Sequence, residues 1–166
     1  YTEAARDIPV AGEYDVIVAG SGPAGVSAAV MAGRLGSKVL LVEWANSVGG
    51  ISTSGLMSHW TGTVTSPLYT EILTRMAEKN EGEDKGKIVP QINPENLKAV
   101  YLEMLADAGV KILLYTFVCG VIMDKNRVAG IITESKSGRR AFLAKVFVDG
   151  TGDGDVAAFA GAEYTK

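Results

Sequence analysis

The sequence predicts an α/β fold in which a parallel sheet carries helices and continues into a three-stranded antiparallel meander. The first observation is a β-branched apolar run at 14–19 that enters a glycine-rich turn and then a helix of small residues. The second is another apolar strand at 38–43, which completes a strand–helix–strand unit whose two strands lie parallel. The third is a change to two-residue alternation from 117 to 148, broken by two short turns.

Composition predicts one globular domain over residues 1–166. The chain is 47% hydrophobic and 21% charged, which provides enough apolar material for a buried core. A net charge of -3 without a long basic run argues against nucleic-acid binding, because no face neutralises phosphates. One cysteine, Cys119, excludes an intramolecular disulfide and a CxxC pair, and with one histidine we expect no metal site. Glycine and proline interrupt the longest apolar stretch, so no membrane span is predicted.

Two further helices are predicted from their start signals. A helix begins at Ser66–Pro67 and runs to about Lys79, and another begins at Asn93–Pro94 and ends at Gly109. A short strand at 110–115 comes after the second of these helices. The polar residues at the front of the chain, 1–13, are predicted to form an N-terminal arm.

A long neutral loop separates the second strand from the next helix. From Trp44 to Thr70 the chain carries no formal charge and is rich in serine, threonine and glycine. Loops of this length tend to be functional. We therefore predict that this loop faces a ligand.

The turn after the first strand has the spacing of a phosphate-binding turn. Gly20 permits the tight turn, Gly22 lets the backbone approach phosphate oxygens, and Gly25 lets helix and strand pack closely. Because the turn opens a helix, its backbone N–H groups and the positive helix end face an anion. The expected anion is a pyrophosphate.

An acidic residue stands where a nucleotide ribose is expected. Glu43 ends the second strand, where a carboxylate can accept both hydroxyl protons of an adenosine ribose. The alternative interpretation is that the glycines merely close a turn and that Glu43 is a surface charge. The combination of strand, turn, helix, strand and acid favours the nucleotide.

These residues resemble a known family, the flavoproteins with a glutathione-reductase-type FAD-binding domain, in particular the FAD-dependent oxidoreductases. The longer family pattern continues from the glycine turn to Ala29 and Gly36. Gly49–Gly50 looks like the second glycine pair of the family. The run 146–153 is similar to the late strand that ends in ATGDGD, with Gly150 in place of alanine. The resemblance implies a Rossmann-like FAD-binding domain, with 44–93 as flavin-side loop and helical insertion.

The resemblance also implies where FAD lies. The pyrophosphate is expected at the glycine turn, the ribose at Glu43, the adenine near Val118 and the flavin toward the Gly50 loop. Thr151 and Gly152 are expected to close over the phosphate and ribose side. The predicted cofactor-binding residues are Gly20, Ser21, Gly22, Pro23, Ala24, Gly25, Glu43, Trp44, Gly49, Gly50, Ile51, Val118, Thr151, Gly152 and Asp153.

Family members are considerably longer than this chain. Their polypeptide continues well beyond the TGDGD segment, and this chain lacks that continuation, including the rest of the substrate domain, so we expect an N-terminal fragment. The chain begins with Tyr1 rather than methionine, which predicts a trimmed start. The absence of a signal-peptide pattern favours a cytoplasmic location.

The implied activity is a flavoprotein oxidoreductase that passes hydride between a small-molecule substrate and FAD. The missing CxxC pair argues against a disulfide-reductase mechanism, and no second glycine fingerprint for a nicotinamide nucleotide is present. Two rivals stay open, an NAD-dependent dehydrogenase domain and a non-catalytic nucleotide-binding fragment. The substrate and the oligomeric state cannot be read from the sequence.

Several residues have a functional and a structural interpretation. His59 is a candidate acid or base, although a lone histidine more often caps or packs. Trp44 either covers the adenosine or only packs against neighbouring residues. The hydroxyls at 52–54 either bind the flavin or satisfy the backbone of their own loop. Cys119 is expected to be a small core residue. Asp153 and Asp155 are expected to accept local backbone N–H groups rather than to bind a metal.

Overall fold

The computed structural model describes residues 4–57, 59–61 and 65–165. Tyr1 and the first residues of the predicted arm lie outside this part, as do residues 58 and 62–64 of the predicted ligand-facing loop. Short 3-10 turns lie at Gly50–Ser52 and Gly82–Asp84. The strands and helices, in chain order, are β1 (Val10–Ala19), α1 (Pro23–Arg34), β2 (Val39–Val42), α2 (Pro67–Lys79), α3 (Pro94–Asp107), β3 (Lys111–Leu113), β4 (Phe117–Asp124), β5 (Arg127–Glu134), β6 (Arg140–Asp149) and α4 (Asp155–Phe159).

The six strands of the described residues belong to one sheet with the order β3-β2-β1-β6-β5-β4. The strands β3, β2, β1 and β6 are mutually parallel, while β5 is antiparallel to both of its neighbours. The strand β6 therefore belongs both to the parallel part and to the meander. The predicted α/β fold with a parallel sheet, flanking helices and a meander is confirmed.

The first strand begins earlier than the sequence indicates. The predicted arm at 1–13 is wrong for its last residues, because β1 starts at Val10, which pairs with Ala141 of β6. The ladder is irregular between Val10 and Gly12, so the alternation that marks a strand is broken there. The partner strand lies far along the chain, and short-range patterning cannot detect such a pairing.

Apolar side chains cover both faces of the sheet, as expected for parallel strands. On one face Val18 and Leu41 pack against α1, α2 and α3 in a cluster that includes the fully buried Tyr101. Burial raises the pKa of the Tyr101 hydroxyl, so this residue is neutral at physiological pH. On the other face β1 and β2 pack against the meander through Ile17, Leu40, Val42, Ile131 and Phe142.

The two predicted helix starts are confirmed together with their caps. Ser66 Oγ accepts from Tyr69 N at 3.1 Å and begins α2. Asn93 Oδ1 accepts from the amides of Glu95 and Asn96 at 3.0 and 3.2 Å and begins α3. In both helices the cap satisfies first-turn amides that lack an internal acceptor.

An ion network joins three helices around Glu71 of α2. Arg34 of α1 contacts both Glu71 carboxylate oxygens, at 2.7 and 2.8 Å. Arg75 contacts Glu71 at 2.9 Å and also reaches Asp107 of α3 at 2.9 Å. The hydrogen bond from Arg34 is the main reason that the pKa of Glu71 lies below its ordinary value, and burial opposes it only in part.

Replacing Glu71 with glutamine is expected to lower the free energy of unfolding at pH 7 by about 0.5–1 kcal/mol, the usual range for a partly exposed ion pair. A lowered folded-state pKa contributes stability above the unfolded value of 4.5, and this stability is lost as pH falls through the folded-state pKa. The difference between the two proteins should therefore vanish under acid conditions. Urea unfolding from pH 7 to pH 3 measures it, with Glu95→Gln as an exposed control. A difference that persists at low pH would contradict this account.

The described helices are short, and the longest of them, α3, has 14 residues. Within these residues no helix combines the length and the apolar character needed to cross a membrane. The same part of the chain contains no group of three His, Cys, Asp or Glu side chains close enough to hold a metal ion. Cys119 is half-buried, and its Sγ donates to Ile132 O at 3.5 Å.

Candidate cofactor site

The turn between β1 and α1 lies directly against the turn that comes after β6. Gly20 adopts a left-handed backbone conformation with φ +86°, and its N–H donates to Val42 O at 2.8 Å. A side chain on Gly20 would overlap Gly150 O and lie 2.8 Å from Thr151 Cα. Two of the predicted cofactor segments are thus in contact, and glycine is required where they meet.

Gly22 and Gly25 have different surroundings in this turn. A Cβ on Gly25 would overlap Gly20 O, whereas a Cβ on Gly22 would meet nothing within 4 Å. The first bond of α1 runs from Val26 N to Gly22 O at 2.9 Å, so the amides of Ala24 and Gly25 precede the helical ladder. Gly22 caps the helix without a side-chain hydrogen bond, and no acidic residue lies in the first turn. Open space therefore lies beside amides that favour an anion.

Glu43 lies beside this turn and is only 5% exposed. Its Oε2 accepts from Ser21 N at 2.8 Å and from Ser21 Oγ at 2.5 Å, and its Oε1 accepts from Ala45 N at 2.8 Å. Ser21 is fully buried. The sequence indicated Glu43 at this edge of the sheet but did not reveal that Ser21 and Ala45 hold its carboxylate.

The predicted second glycine pair packs on the first glycine turn. Gly49 N donates to Ser21 O at 2.7 Å, and a Cβ on Gly50 would lie 3.0 Å from Gly22 Cα. Gly49 has φ +105°, and its position against Thr53 leaves no room for a side chain. Ile51 comes next, with its side chain exposed.

Two hydroxyls in this loop differ in their hydrogen bonding. Thr53 Oγ1 donates to Val48 O at 2.6 Å, which satisfies the loop's own backbone. Ser52 is buried, and its Oγ has no hydrogen-bond partner in the described part of the chain. A buried hydroxyl without a partner is uncommon and indicates that another polar group is needed there.

The segment after β6 is held mainly by Asp149, a residue that the sequence analysis did not select. Asp149 Oδ1 accepts from Thr151 N at 3.2 Å and from Thr151 Oγ1 at 2.7 Å, and its Oδ2 accepts from Ala157 N at 2.9 Å. Thr151 Oγ1 in turn accepts from Asp155 N at 3.0 Å. Gly152 and Asp153 are exposed. An aspartate before Gly–Thr–Gly is the sequence signal that could have identified this cap.

Aromatic side chains lie next to Glu43, where β4 begins. Thr116 N donates to Glu43 O at 2.9 Å. The rings of Trp44 and Phe117 have centroids 6.0 Å apart, and both side chains are more than half exposed. Val118 is partly buried and packs into the core on the meander side of the sheet. Because neighbouring strand residues point to opposite faces, Phe117 rather than Val118 meets Trp44.

His59 lies at a different groove of about 600 Å³. It forms an isolated antiparallel bridge with Gln91, and Trp60 beside it makes an edge-to-face contact with Tyr69. Among the described residues, those that line this groove do not include the glycine turn or Glu43. The acid–base role of His59 stays a prediction.

The chain is similar in sequence or in fold to several known proteins. It is 34% identical to the thiamine thiazole synthase of Sulfolobus acidocaldarius over 89% of this chain and 59% of that protein. In the same way, THI4 of Thermovibrio ammonificans superposes with a TM-score of 0.64, at 22% identity, over 89% of this chain and 61% of that chain. A geranylgeranyl bacteriochlorophyll reductase-like protein from Thermoplasma acidophilum has the same TM-score at 21% identity, over 92% of this chain and 43% of that chain.

This chain thus spans less than two thirds of the length of each of these proteins. At these identities the two solved structures bear on the fold alone. The family is identified by the sequence model described as FAD dependent oxidoreductase, which matches residues 15–166. That match extends from β1 through the glycine turn, the neutral loop and the meander to the segment after β6. The chain therefore belongs to the FAD-dependent oxidoreductase family, whose cofactor is FAD.

Proposed function

We propose that this chain is the FAD-binding part of a flavoprotein oxidoreductase that passes hydride between a small-molecule substrate and FAD. The observation that carries the proposal is the open space at Gly22 beside the amides that begin α1, together with Glu43, which follows β2 and is hydrogen-bonded to Ser21 of the same turn. An adenine dinucleotide needs an anion site at the turn that begins the helix of a strand–helix–strand unit. It also needs a ribose acceptor directly after the second strand of that unit. The family match supports FAD as the dinucleotide.

The diphosphate of FAD would lie at the start of α1. The amides of Gly22, Ala24 and Gly25 precede the helical ladder and would donate to phosphate oxygens, while Pro23 sets the backbone angle of the first helical position. Ser21 is buried beneath the turn, and its backbone carbonyl accepts a hydrogen bond from Gly49 N. The chain carries a net charge of -3, so attraction to the diphosphate arises locally, from the helix end, rather than from the protein as a whole.

The adenosine half would lie between Glu43 and the start of β4. Glu43 would accept a ribose hydroxyl, and the exposed faces of Trp44 and Phe117 offer a surface on which adenine can stack. Val118 would then support this platform from within the core rather than contact the base. Thr151, Gly152 and Asp153 would border the opposite side of the phosphates, because their turn touches Gly20.

The flavin half would extend toward the second glycine pair. Gly49 and Gly50 bring this loop against Gly22, and Ile51 presents an exposed apolar side chain beyond them. The unpartnered hydroxyl of Ser52 would gain an acceptor or donor in a bound ligand or an ordered water. FAD, when bound, supplies the hydride acceptor, and the protein holds it and limits the access of water. The proposal includes the division of the chain into one FAD-binding domain at 1–166, with 44–93 as its flavin-side loop and helical insertion.

Replacing Gly22 with alanine is expected to weaken FAD binding about 10- to 100-fold, because the methyl group would displace a charge-assisted phosphate contact of roughly 1.5–3 kcal/mol. The unfolding free energy should fall by less than about 1 kcal/mol, because this Cβ meets nothing within 4 Å and the backbone has φ -61°, while alanine is a poorer N-cap than glycine. The visible flavin spectrum after reconstitution with FAD and gel filtration measures binding, and urea unfolding measures stability. Retention of full flavin by Gly22→Ala would contradict the proposed phosphate position.

Thermal unfolding of this chain with added nucleotide tests whether it binds FAD or NAD. An FAD-binding part should gain thermal stability with added FAD and little with NAD, whereas a nicotinamide-dependent dehydrogenase domain should show the reverse. A non-catalytic fragment without a complete site should gain stability with neither nucleotide. A colourless protein stabilised only by NAD would replace the proposal with the dehydrogenase.

A further inference from the structure

A groove of about 620 Å³ lies between the segment that leads from β3 to β4 and the turn that joins β5 to β6. Its apolar wall includes Leu113 and Phe142, and Tyr115, which also lines it, is 67% exposed. A groove of this volume with a largely apolar lining is typical of small-molecule sites. None of the described residues that line it belongs to the predicted cofactor-binding set, so the groove is a separate feature of the molecule.

The polar groups of this groove are cations and hydroxyls. Lys136 and Arg140 provide the charges, and Thr133, Ser135 and Ser137 provide hydroxyl groups. No aspartate or glutamate is among the described residues that line it. A cleft lined by one sign of charge favours a ligand of the opposite sign. The lining therefore favours an anion, although the net charge of the chain is -3.

The β5–β6 ladder directs Arg140 toward the groove. Arg140 pairs with Thr133 and lies two residues before Phe142, so these three side chains point to the same face of the meander. The neighbouring Arg139 is instead engaged with Glu134, at 3.8 Å. Within the described part of the chain neither Arg140 nor Lys136 forms an ion pair with a carboxylate. Both cations are thus available to an anionic ligand.

Tyr115 is held at the groove in an unfavourable backbone conformation. Its φ of 51° lies in the left-handed region, which is uncommon for a residue with a side chain. Tyr115 N donates to Ala45 O at 3.0 Å, and Thr116 N donates to Glu43 O at 2.9 Å, so the surrounding backbone imposes this conformation. Burial of the side chain does not offset the strain, because the residue is mostly exposed. Strained residues of this kind cluster at ligand sites.

We propose that this groove binds a small organic anion that combines an aromatic ring with one carboxylate or phosphate group. Tyr115 would pack against the ring, and Leu113 and Phe142 would contact its apolar body. Lys136 and Arg140 would bind the anionic group through charge-assisted hydrogen bonds. This second site goes beyond the proposed function and does not depend on FAD.

Three naphthyl compounds test the class of ligand. Titration calorimetry of the full chain with 2-naphthoate, 2-naphthyl phosphate and the neutral 2-naphthylmethanol compares two anions with one uncharged analogue. At least one anion should bind about tenfold or more tightly than the alcohol, as expected for charge-assisted hydrogen bonds. The anion that binds more tightly identifies the anionic group. Equal binding of all three compounds, or binding of none, would overturn the proposal.

The double variant Lys136→Gln, Arg140→Gln tests the two cations. Its affinity ratio of anion to alcohol should fall toward one, because both positive charges of the groove are removed. The matched control is Arg127→Gln, since Arg127 lies at the other end of β5 and contacts Asp124 at 3.5 Å outside the groove. The control should keep the ratio of the parent chain. A parent-like ratio in the double variant would place the anion elsewhere and refute the proposed site.

The Tyr115→Gly variant separates a ligand role from a structural role. Glycine adopts a φ of 51° without strain, so the midpoint of thermal unfolding should not fall. Loss of the aromatic contact should weaken all three naphthyl compounds about 3- to 10-fold and leave the ratio of anion to alcohol unchanged. A lower midpoint with unchanged affinities would show that Tyr115 serves the fold alone, which would contradict its proposed contact with the ring.

Saturating ADP separates the groove from the proposed cofactor site. The affinity for the tighter anion should change less than about threefold when ADP is present, because the two ligands contact different residues. Displacement of the anion by ADP would place it at the nucleotide site and overturn the second site. If the chain binds neither FAD nor ADP, the proposed function fails, and the naphthyl titrations of parent and variants still decide the groove. Circular dichroism verifies the fold of each variant.

Discussion

A Gly25→Ala chain is expected to unfold with a free energy roughly 1–3 kcal/mol lower than the parent and to bind almost no FAD. The added Cβ would overlap Gly20 O, so either the glycine turn or the start of α1 must move. An exposed helical glycine usually gains roughly 0.5–1 kcal/mol from the same substitution, so the sign of the change is itself diagnostic. Urea unfolding and the flavin content after reconstitution measure the two effects.

The matched control for this variant lies three residues earlier in the same turn. Gly22→Ala adds the same methyl group where there is open space, so it should lower FAD binding with a smaller loss of stability than Gly25→Ala. Two alanine substitutions would thereby separate the packing role of one glycine from the ligand-approach role of the other. A Gly25→Ala chain as stable as the parent would show that α1 and β1 are less tightly packed in solution than in this structure.

Replacing Glu43 with alanine is expected to cost at least about 1–3 kcal/mol of folding stability, the range found when a buried hydrogen-bond donor is left without its acceptor. Three donors, namely Ser21 N–H, Ser21 Oγ–H and Ala45 N–H, would lose their acceptor together. The affinity for FAD should also fall about 10- to 100-fold from loss of the ribose contact. Chemical unfolding and flavin titration on the same sample measure both.

Glu43→Gln is the informative comparison for that variant. The amide oxygen can still accept from Ser21, so most of the stability should return, whereas the amide nitrogen replaces an acceptor with a donor on the other side. Stability and affinity should therefore separate in the glutamine variant and fall together in the alanine variant. If alanine at this position left the unfolding free energy unchanged, the internal hydrogen bonds of Glu43 would not exist in solution.

The parts of the fold that depend on local chemistry were predictable from the sequence. Ser66 and Asn93 mark helix starts because a side-chain oxygen before a proline fits the first turn of a helix. Gly20 and Gly25 indicate a tight turn because only glycine fits where the backbone of β1, α1 and the later turn meet. The meander was predictable from two-residue alternation in strands joined by short turns.

The parts that depend on distant partners were not predictable. The start of β1 at Val10 and the position of β6 between β1 and β5 both result from pairing between the two ends of the chain. The same holds within the site, where the sequence indicated Glu43 but not Ser21, which donates two buried hydrogen bonds to its carboxylate. Phe117 was not selected because the position of the adenine near Val118 came from the family resemblance, whereas Val118 packs into the core and its neighbour Phe117 meets Trp44.

The position of β6 also has a consequence for how the protein is made. This strand comes after all the others in the described chain, yet it fills the centre of the sheet beside β1. During synthesis β1 has an open edge until β6 has left the ribosome, and such an edge can pair with other chains. The high proportion of long-range pairings also predicts slow folding. The arrival of β6 beside β1, rather than the formation of the first strand–helix–strand unit, should thus be the step that completes the sheet.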